Sequence, residues 1–135
     1  MAYTVLSHPG DLKLRVTART QAALFSQTAK AMFLEMVPGL LAKKGASVTR
    51  TVKLSGTDPE TLFIDFLNEL LYLAQVHQEF YRRCDVTLSP KGLAAKLTGI
   101  KHSERARLEI KAATFSELSI THERGCWVAQ VVFDI

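Results

Sequence analysis

The segment that most limits the fold begins at Thr57 and is typical of a well-capped helix. Thr57-Asp58-Pro59-Glu60 combines a capping side chain, a proline in the first turn and an early carboxylate, all of which favour helix initiation. The residues that follow place apolar side chains on one broad face at helical spacing: Leu62, Phe63, Phe66, Leu67, Leu70, Leu71 and Ala74. Because so wide an apolar face must be buried, we expect this helix to lie against a β-sheet.

Alternating apolar and polar residues predict strands on both sides of this helix. The alternation runs over 12–19, 47–54, 84–88, 93–97, 107–113, 117–121 and 126–134. An earlier helix, capped by Thr20 and ended by Pro38-Gly39, is predicted by apolar residues from Ala22 to Met36, and 99–106 is predicted to be a polar loop. Seven strands and two helices without a linker indicate one α/β domain of the α+β type over 1–135, in which two helices pack on a mostly antiparallel or mixed sheet.

Composition is consistent with an ordinary globular domain. Hydrophobic residues make up 47% of the 135 positions, so a core can form without disulfides or a structural metal. Cys84 and Cys126 are far apart and have no second ligand at metal-binding spacing, and we expect both to be reduced and buried. No signal peptide or membrane span is indicated, since the apolar stretch 62–76 is short and interrupted by polar residues. These features favour a cytoplasmic protein that does not enter a membrane.

The net charge favours an anionic partner. Seventeen Lys and Arg against thirteen Asp and Glu give +4, and Lys13, Arg15 and Arg19 share the polar face of a predicted strand. Together with Lys43-Lys44 they favour, as one alternative, a basic module that binds tRNA or another nucleic acid. Phosphate-binding glycine loops and a nucleophile elbow are absent from the sequence, which argues against a nucleotide-binding enzyme. A metal-dependent hydrolase and a chaperone-like protein are further alternatives.

Carboxylates at the two ends of the chain are candidate ligands for a metal ion. Asp11 closes the turn His8-Pro9-Gly10-Asp11, and Asp134 precedes Ile135, whose main-chain carboxylate is the last group of the sequence. Oxygen ligands of this kind suit a hard cation such as Ca²⁺ or Mg²⁺. The three groups would meet if the first and last predicted strands were neighbours. An Asx turn is the purely structural alternative for Asp11.

Two other groups of polar residues have less specific patterns. Lys111 interrupts the apolar segment 110–115, where a solvent-exposed lysine is the simplest interpretation. Asp65 and Glu69 are four residues apart on one helix face and with Asn68 could form a second acidic patch. Capping or hydrogen bonding to a nearby loop is the structural alternative for this group.

Four segments, taken together and in order, resemble the archease family. They are His8-Pro9-Gly10-Asp11, the helical segment 65–71 (DFLNELL), the segment 110–115 (IKAATF) and the ending 127–135 (WVAQVVFDI). The likeness spans essentially the whole chain. It implies an accessory protein and not an enzyme, one that activates an RtcB-type tRNA-splicing RNA ligase by promoting its GTP-dependent guanylylation and multiple turnover. RNA would then be reached indirectly, through the ligase.

The resemblance also implies functional residues. Asp11, Asp134 and the carboxylate of Ile135 correspond to the family's ligands for a divalent ion, which would be Ca²⁺ or, physiologically, Mg²⁺ or Mn²⁺. Lys111 corresponds to a lysine that family members need for activity. The sequence departs from the family pattern at Pro9-Gly10, where Thr-Ala is usual, and at Ser116, where a histidine is usual. Ile100 also replaces an acidic residue, but the three carboxylate positions are retained.

Overall fold

Seven strands and two α-helices are formed by the residues that the computed structural model describes, which are 2–6 and 9–135. The first half of the chain contains β1 (Ala2–Leu6), β2 (Asp11–Ala18), α1 (Gln21–Met36), a short 3₁₀ helix (Leu40–Ala42), β3 (Ser47–Ser55) and α2 (Pro59–His77). The second half contains β4 (Glu79–Ser89), β5 (Gly92–Lys101), β6 (Ala112–Glu123) and β7 (Cys126–Asp134). None of the helices in this part of the chain is long and apolar enough to cross a membrane.

The strands form two antiparallel sheets. One has four strands in the order β1-β2-β7-β6, and the other has three in the order β3-β5-β4. The predicted fold class, two helices packed on antiparallel strands, is confirmed. Alternation along a strand does not say which strands pair, so the division into two sheets instead of one could not be inferred from the pattern alone.

The helices begin where their capping residues predict. The Thr20 hydroxyl accepts a hydrogen bond from the Ala23 N–H at 3.1 Å, and the Asp58 carboxylate accepts from the Thr61 N–H at 3.0 Å. Phe25 of α1 meets Phe63 of α2 edge to face, with ring centroids 5.0 Å apart, a favourable aromatic geometry. The broad apolar face of α2 is buried, as the sequence predicts.

Several predicted boundaries were wrong. The expected strand 107–113 does not form; instead the N–H groups of Arg107 and Leu108 donate to the Met36 carbonyl at the end of α1, at 2.8 and 3.3 Å. Residues 112–123 form a single strand, in which pairing with β7 is interrupted between Thr114 and Ser119. The predicted loop 99–106 begins too early, since β5 continues to Lys101. The short strand β1 was not predicted.

The two cysteines lie in different environments. Cys84 is buried, as expected, and burial raises the pKa of its thiol to about 12. Cys126 is exposed, so the expectation that both cysteines are buried was wrong. Its position explains the difference, because Cys126 is the first residue of β7, directly after the turn at Arg124 and Gly125.

Candidate functional site

Asp11 and Asp134 are directly paired in the four-stranded sheet. Asp11 opens β2, Asp134 closes β7, and the two are cross-strand partners in an antiparallel register. The next pair, Leu12 and Phe133, points into the core. Because side chains alternate between the two faces of a sheet, both aspartates belong to the opposite, outer face. The strand adjacency that a shared site requires is therefore present.

Carboxylates at directly opposite positions of two strands repel each other unless another group compensates their charge. Directly opposite residues have Cβ atoms roughly 4.5–5.5 Å apart, and like charges at such positions are destabilising. Asp11 is half-buried and Asp134 is exposed. A divalent cation held between the carboxylates would turn this repulsion into attraction.

Ile135 extends the acidic end of the sheet by one residue. Its side chain is 40% exposed, so packing in the core does not account for an isoleucine here. Ile135 follows Asp134 directly in the chain. Among residues 2–6 and 9–135, no three His, Cys, Asp or Glu side chains form a metal-binding group. A cation site at this end therefore needs a donor beyond the two aspartate side chains.

Lys111 reaches the same end of the sheet from the other side of β7. Its N–H donates to the Asp134 carbonyl at 2.8 Å, and the next residue, Ala112, is the cross-strand partner of Asp134. The Lys111 side chain is exposed, as the simplest interpretation of the sequence predicts. Lys111 also lines a cleft of about 1150 Å³ between α2 and the segment 102–111. Asp11, Asp134 and the backbone of Lys111 thus lie next to one another at this end of the four-stranded sheet.

Asn68 connects α2 to this end of the sheet. Its side-chain amide donates to the Ala113 carbonyl at 3.1 Å and accepts from the Ala113 N–H at 2.8 Å. The amide therefore satisfies both backbone groups of a residue on the edge strand, just after Lys111 and Ala112. Asp65 is exposed and Glu69 is half-buried on the same helix, and no metal-binding cluster includes them among the described residues. The sequence singled out Asn68 only as part of that patch.

A second carboxylate with specific partners, Glu79, was missed by the sequence analysis. It is fully buried at the start of β4, where its oxygens accept from Arg50 Nε and Nη2 at 2.6 and 3.0 Å and from the Tyr81 hydroxyl at 2.7 Å. The hydrogen bonds from Arg50 hold the pKa of the Glu79 carboxyl below its usual value. Burial, together with Glu79, raises the pKa of Tyr81. This network is closed by protein groups and therefore has a structural role.

Comparison with known proteins identifies the family. The model of the Archease protein family matches residues 3–135. The chain belongs to the archease family. It is 33% identical to the protein archease of Methanosarcina barkeri over 98% of this chain and 95% of that protein. The archease of Thermoplasma acidophilum is 27% identical over 100% of this chain and 94% of its own.

Solved structures agree with this assignment. The solution structure of protein 1598 from Methanobacterium thermoautotrophicum superposes with a TM-score of 0.76 at 26% identity, covering 98% of both chains. A crystal structure from Thermotoga maritima, described as "an archease, possible chaperone", has a TM-score of 0.68 at 21% identity and covers 98% of this chain and 96% of its own. The latter likeness concerns the fold alone.

The positions at which the resemblance to the family is interrupted lie in different local settings. Gly10 has a φ of 77°, a conformation that glycine adopts readily, in the turn that leads into Asp11. Ser116 lies where β6 loses its pairing with β7, and Ile100 is buried in β5. His8, the first residue of the predicted turn, lies outside the described residues.

The basic residues predicted to bind nucleic acid are partly neutralised. Lys13 contacts Glu117 at 3.2 Å and Lys43 contacts Glu104 at 2.8 Å. The hydrogen bond from Lys43 lowers the pKa of the Glu104 carboxyl. Arg15, Arg19 and Lys44 are exposed. The net positive charge available on these segments is therefore smaller than the sequence suggests.

Proposed function

We propose that this archease activates an RNA ligase of the RtcB type by presenting a divalent cation held by Asp11, Asp134 and the main-chain carboxylate of Ile135. The observation that carries the proposal is the direct cross-strand pairing of the two aspartates at the end of the sheet. Carboxylates facing each other on an outer face cost stability in the protein alone. A cation bound by both of them would account for this placement.

The donor set fits a hard metal ion. Carboxylate oxygens are the preferred ligands of Ca²⁺, Mg²⁺ and Mn²⁺, and nitrogen or sulfur ligands are not needed. Such an ion, when bound, supplies positive charge that neutralises phosphate oxygens. The chain itself contributes the two aspartates, fixed by strand pairing, and Lys111, whose backbone is tied to Asp134. Its exposed ammonium is a second cation that could pair with a phosphate at this end of the sheet.

This arrangement suits assistance to a ligase. Transfer of a nucleotidyl group from GTP depends largely on positioning and on charge neutralisation, both of which an accessory protein can improve. In this proposal the ligase provides the histidine that is guanylylated, and the archease provides the cation and Lys111 beside it. Catalysis by the archease alone is not part of the proposal.

The principal experiment measures guanylylation of the cognate ligase with GTP in the presence of this protein. We expect Asp11→Asn and Asp134→Asn each to lower stimulation at least tenfold, since each removes a charged ligand. Lys111→Ala should also reduce it. Asp65→Asn is the matched control, because it changes an exposed carboxylate on α2. Equal stimulation by the wild type and both aspartate variants would overturn the role of the site.

The contribution of Ile135 can be tested separately. Adding one glycine after Ile135 converts its carboxylate into an amide and leaves every side chain unchanged. Calorimetric titration with Ca²⁺ should show weaker binding for the extended protein, and Ile135→Val should bind like the wild type. Unchanged affinity of the extended protein would remove the main-chain carboxylate from the site.

A chaperone-like role is a second candidate. The Thermotoga maritima archease is described as a possible chaperone, and here Tyr72 and Val76, one turn apart on α2, are 59% and 54% exposed. Exposed apolar side chains can contact unfolded proteins. Suppression of aggregation of an unrelated client, lost in the double variant Tyr72→Ser, Val76→Ser and retained in Asp134→Asn, would favour this role over ligase activation.

A further inference from the structure

A second site lies in a cleft between α1 and β4. The cleft has a volume of about 480 Å³ and is lined by Ser26, Gln27, Lys30, Leu41 and residues 82–85. These residues belong to α1, to the short 3₁₀ helix and to the three-stranded sheet. Asp11 and Asp134 belong to the other sheet. The cleft is therefore formed by different elements from those of the proposed metal site.

An irregularity in β4 places Arg82 in this cleft. Tyr81 pairs with Gly99 and Arg83 pairs with Thr98, so Arg82 is an extra residue without a partner on β5. Gly99 makes this possible, because a Cβ atom there would collide with the Phe80 carbonyl oxygen and with Tyr81 Cα. A β-bulge of this kind redirects the side chain of its extra residue and recurs beside functional sites.

Two groups in the cleft lack hydrogen-bond partners. Within the part of the chain that the structure describes, Arg82 Nε and Nη2 are buried and bond to no acceptor, and Gln27 Oε1 is buried and bonds to no donor. Arg82 offers two donors and Gln27 offers an acceptor, but these atoms do not bond to each other. Buried polar groups are nearly always paired, so such exceptions need an explanation. A ligand that accepts from Arg82 and donates to Gln27 would satisfy both groups.

Arg50 of the same chain shows which kind of group the Nε and Nη2 atoms of an arginine can bind. Arg50 uses its Nε and Nη2 to grip both oxygens of Glu79, at 2.6 and 3.0 Å. This edge of a guanidinium matches the spacing of two oxygens in a carboxylate or a phosphate. In Arg50 the edge is filled by a protein carboxylate, whereas in Arg82 it faces no protein acceptor among the described residues.

The charges in the cleft favour a phosphate. Arg83 is neutralised by Asp85, whose carboxylate lies 2.9 Å from Arg83 Nε. Among the described residues, Arg82 and the half-buried Lys30 form no ion pair, so they supply two uncompensated positive charges. The unpaired acceptor at Gln27 adds a requirement for a hydrogen-bond donor near the anion. An RNA backbone meets both requirements, because each phosphate follows a ribose that carries a 2′-hydroxyl.

We propose that this cleft binds the ribose-phosphate backbone of RNA. Arg82 donates from Nε and Nη2 to phosphate oxygens, Lys30 adds charge, and Gln27 Oε1 accepts from the 2′-hydroxyl. The protein thereby contacts RNA directly, in the absence of any ligase. The proposal does not rest on the cation site, so either one can fail without the other.

Fluorescence anisotropy of the full chain with a labelled single-stranded RNA 12-mer tests this proposal. We expect Arg82→Ala to weaken binding roughly tenfold or more, as for the loss of charge-assisted hydrogen bonds. The slope of log affinity against log salt should fall by about one. Arg82→Lys keeps the charge but not the paired donors and should also bind more weakly. Arg83→Gln, which changes the adjacent and already paired arginine, is the matched control and should have a much smaller effect.

The ligand class is tested with three competitors. A DNA 12-mer of the same sequence should bind more weakly than RNA, and Gln27→Leu should reduce that difference. Equal affinity for DNA and RNA would overturn the contact to the 2′-hydroxyl. Full competition by millimolar inorganic phosphate would assign the cleft to free phosphate, and full competition by an acidic peptide would assign it to a protein partner. Either outcome, or an Arg82→Ala variant that binds RNA like the wild type, would overturn the proposal.

Discussion

Glu79 and the Asp11–Asp134 pair are carboxylates at the ends of strands, but their surroundings differ. Glu79 is buried and is gripped by Arg50 and Tyr81. Asp11 and Asp134 face each other across two strands at the outer face of a sheet. In the first region the charge is compensated by the protein itself. In the second, two aspartates occupy directly opposite positions on paired strands.

The difference separates a structural carboxylate from carboxylates suited to a ligand. A buried acid whose oxygens are all bonded to the protein has no capacity left for a metal ion. Two aspartates at directly opposite positions bring several carboxylate oxygens together on the outer face of a sheet, where a cation could bind both. Removing the Glu79 carboxylate should therefore lower the free energy of unfolding, whereas removing the charge of Asp134 should raise it.

The largest effect is expected for Glu79→Ala. The variant leaves Arg50 without its acceptor and should lower the free energy of unfolding by about 3 kcal/mol, the low end for a broken buried pair because Arg50 is partly exposed. Urea denaturation followed by circular dichroism measures the change. Glu79→Gln retains part of the hydrogen bonding, so its free energy of unfolding should fall by less. A loss below about 1 kcal/mol in Glu79→Ala would show that the pair does not stabilise the fold.

Low pH should reduce the contribution of Glu79 to the free energy of unfolding. Because the pKa of Glu79 is lower in the folded protein than its usual value, the unfolded chain binds the proton more readily. The stabilisation is then fully present above the pKa of the unfolded chain, about 4.3, and is lost as pH falls through the lower folded value. The difference in unfolding free energy between wild type and Glu79→Gln should shrink between about pH 5 and pH 2. A difference that stays constant over this range would contradict the assignment.

A smaller loss is expected at Asn68, which connects the helix to the acidic end of the sheet. Asn68→Ala leaves the N–H and carbonyl of Ala113 without their partner and should cost about 2 kcal/mol. Amide hydrogen exchange at Lys111 and Ala113 should accelerate, since the start of β6 loses its anchor on α2. Gln75→Ala, an exposed change on the same helix, is the control. Unchanged exchange at both amides would show that Asn68 does not hold this segment.

Local signals predicted some elements well and others poorly. The helix α2 could be predicted because its cap and apolar face lie within one continuous segment. The segment 107–111 alternates like a strand but bonds to Met36, about seventy residues earlier in the chain, and no local pattern shows such a contact. Glu79 is flanked by no periodic signal, and its partner Arg50 lies on another strand.

For the candidate site too, some features could be predicted from the sequence and others could not. The carboxylates Asp11 and Asp134 could be identified from the sequence as chemically suitable ligands, and the archease resemblance assigned them a role. Their adjacency depends on the pairing of β2 with β7, which is a property of the topology. The Arg82 cleft could not be predicted, because it depends on an extra residue in the pairing of β4 with β5.

The smallest effect, and the most direct test of the comparison, is expected for Asp134→Asn. In the presence of EDTA this variant should be more stable than the wild type by about 0.5 kcal/mol, because one of two facing charges is removed. Adding Ca²⁺ should raise the melting temperature of the wild type through selective binding to the folded state, and this increase should be absent in the variant. Asp85→Asn, a change at an aspartate that is paired with Arg83, should leave the Ca²⁺ effect intact. If Asp134→Asn is destabilised in EDTA and still responds to Ca²⁺, the two aspartates neither repel each other nor share a cation, and the contrast with Glu79 fails.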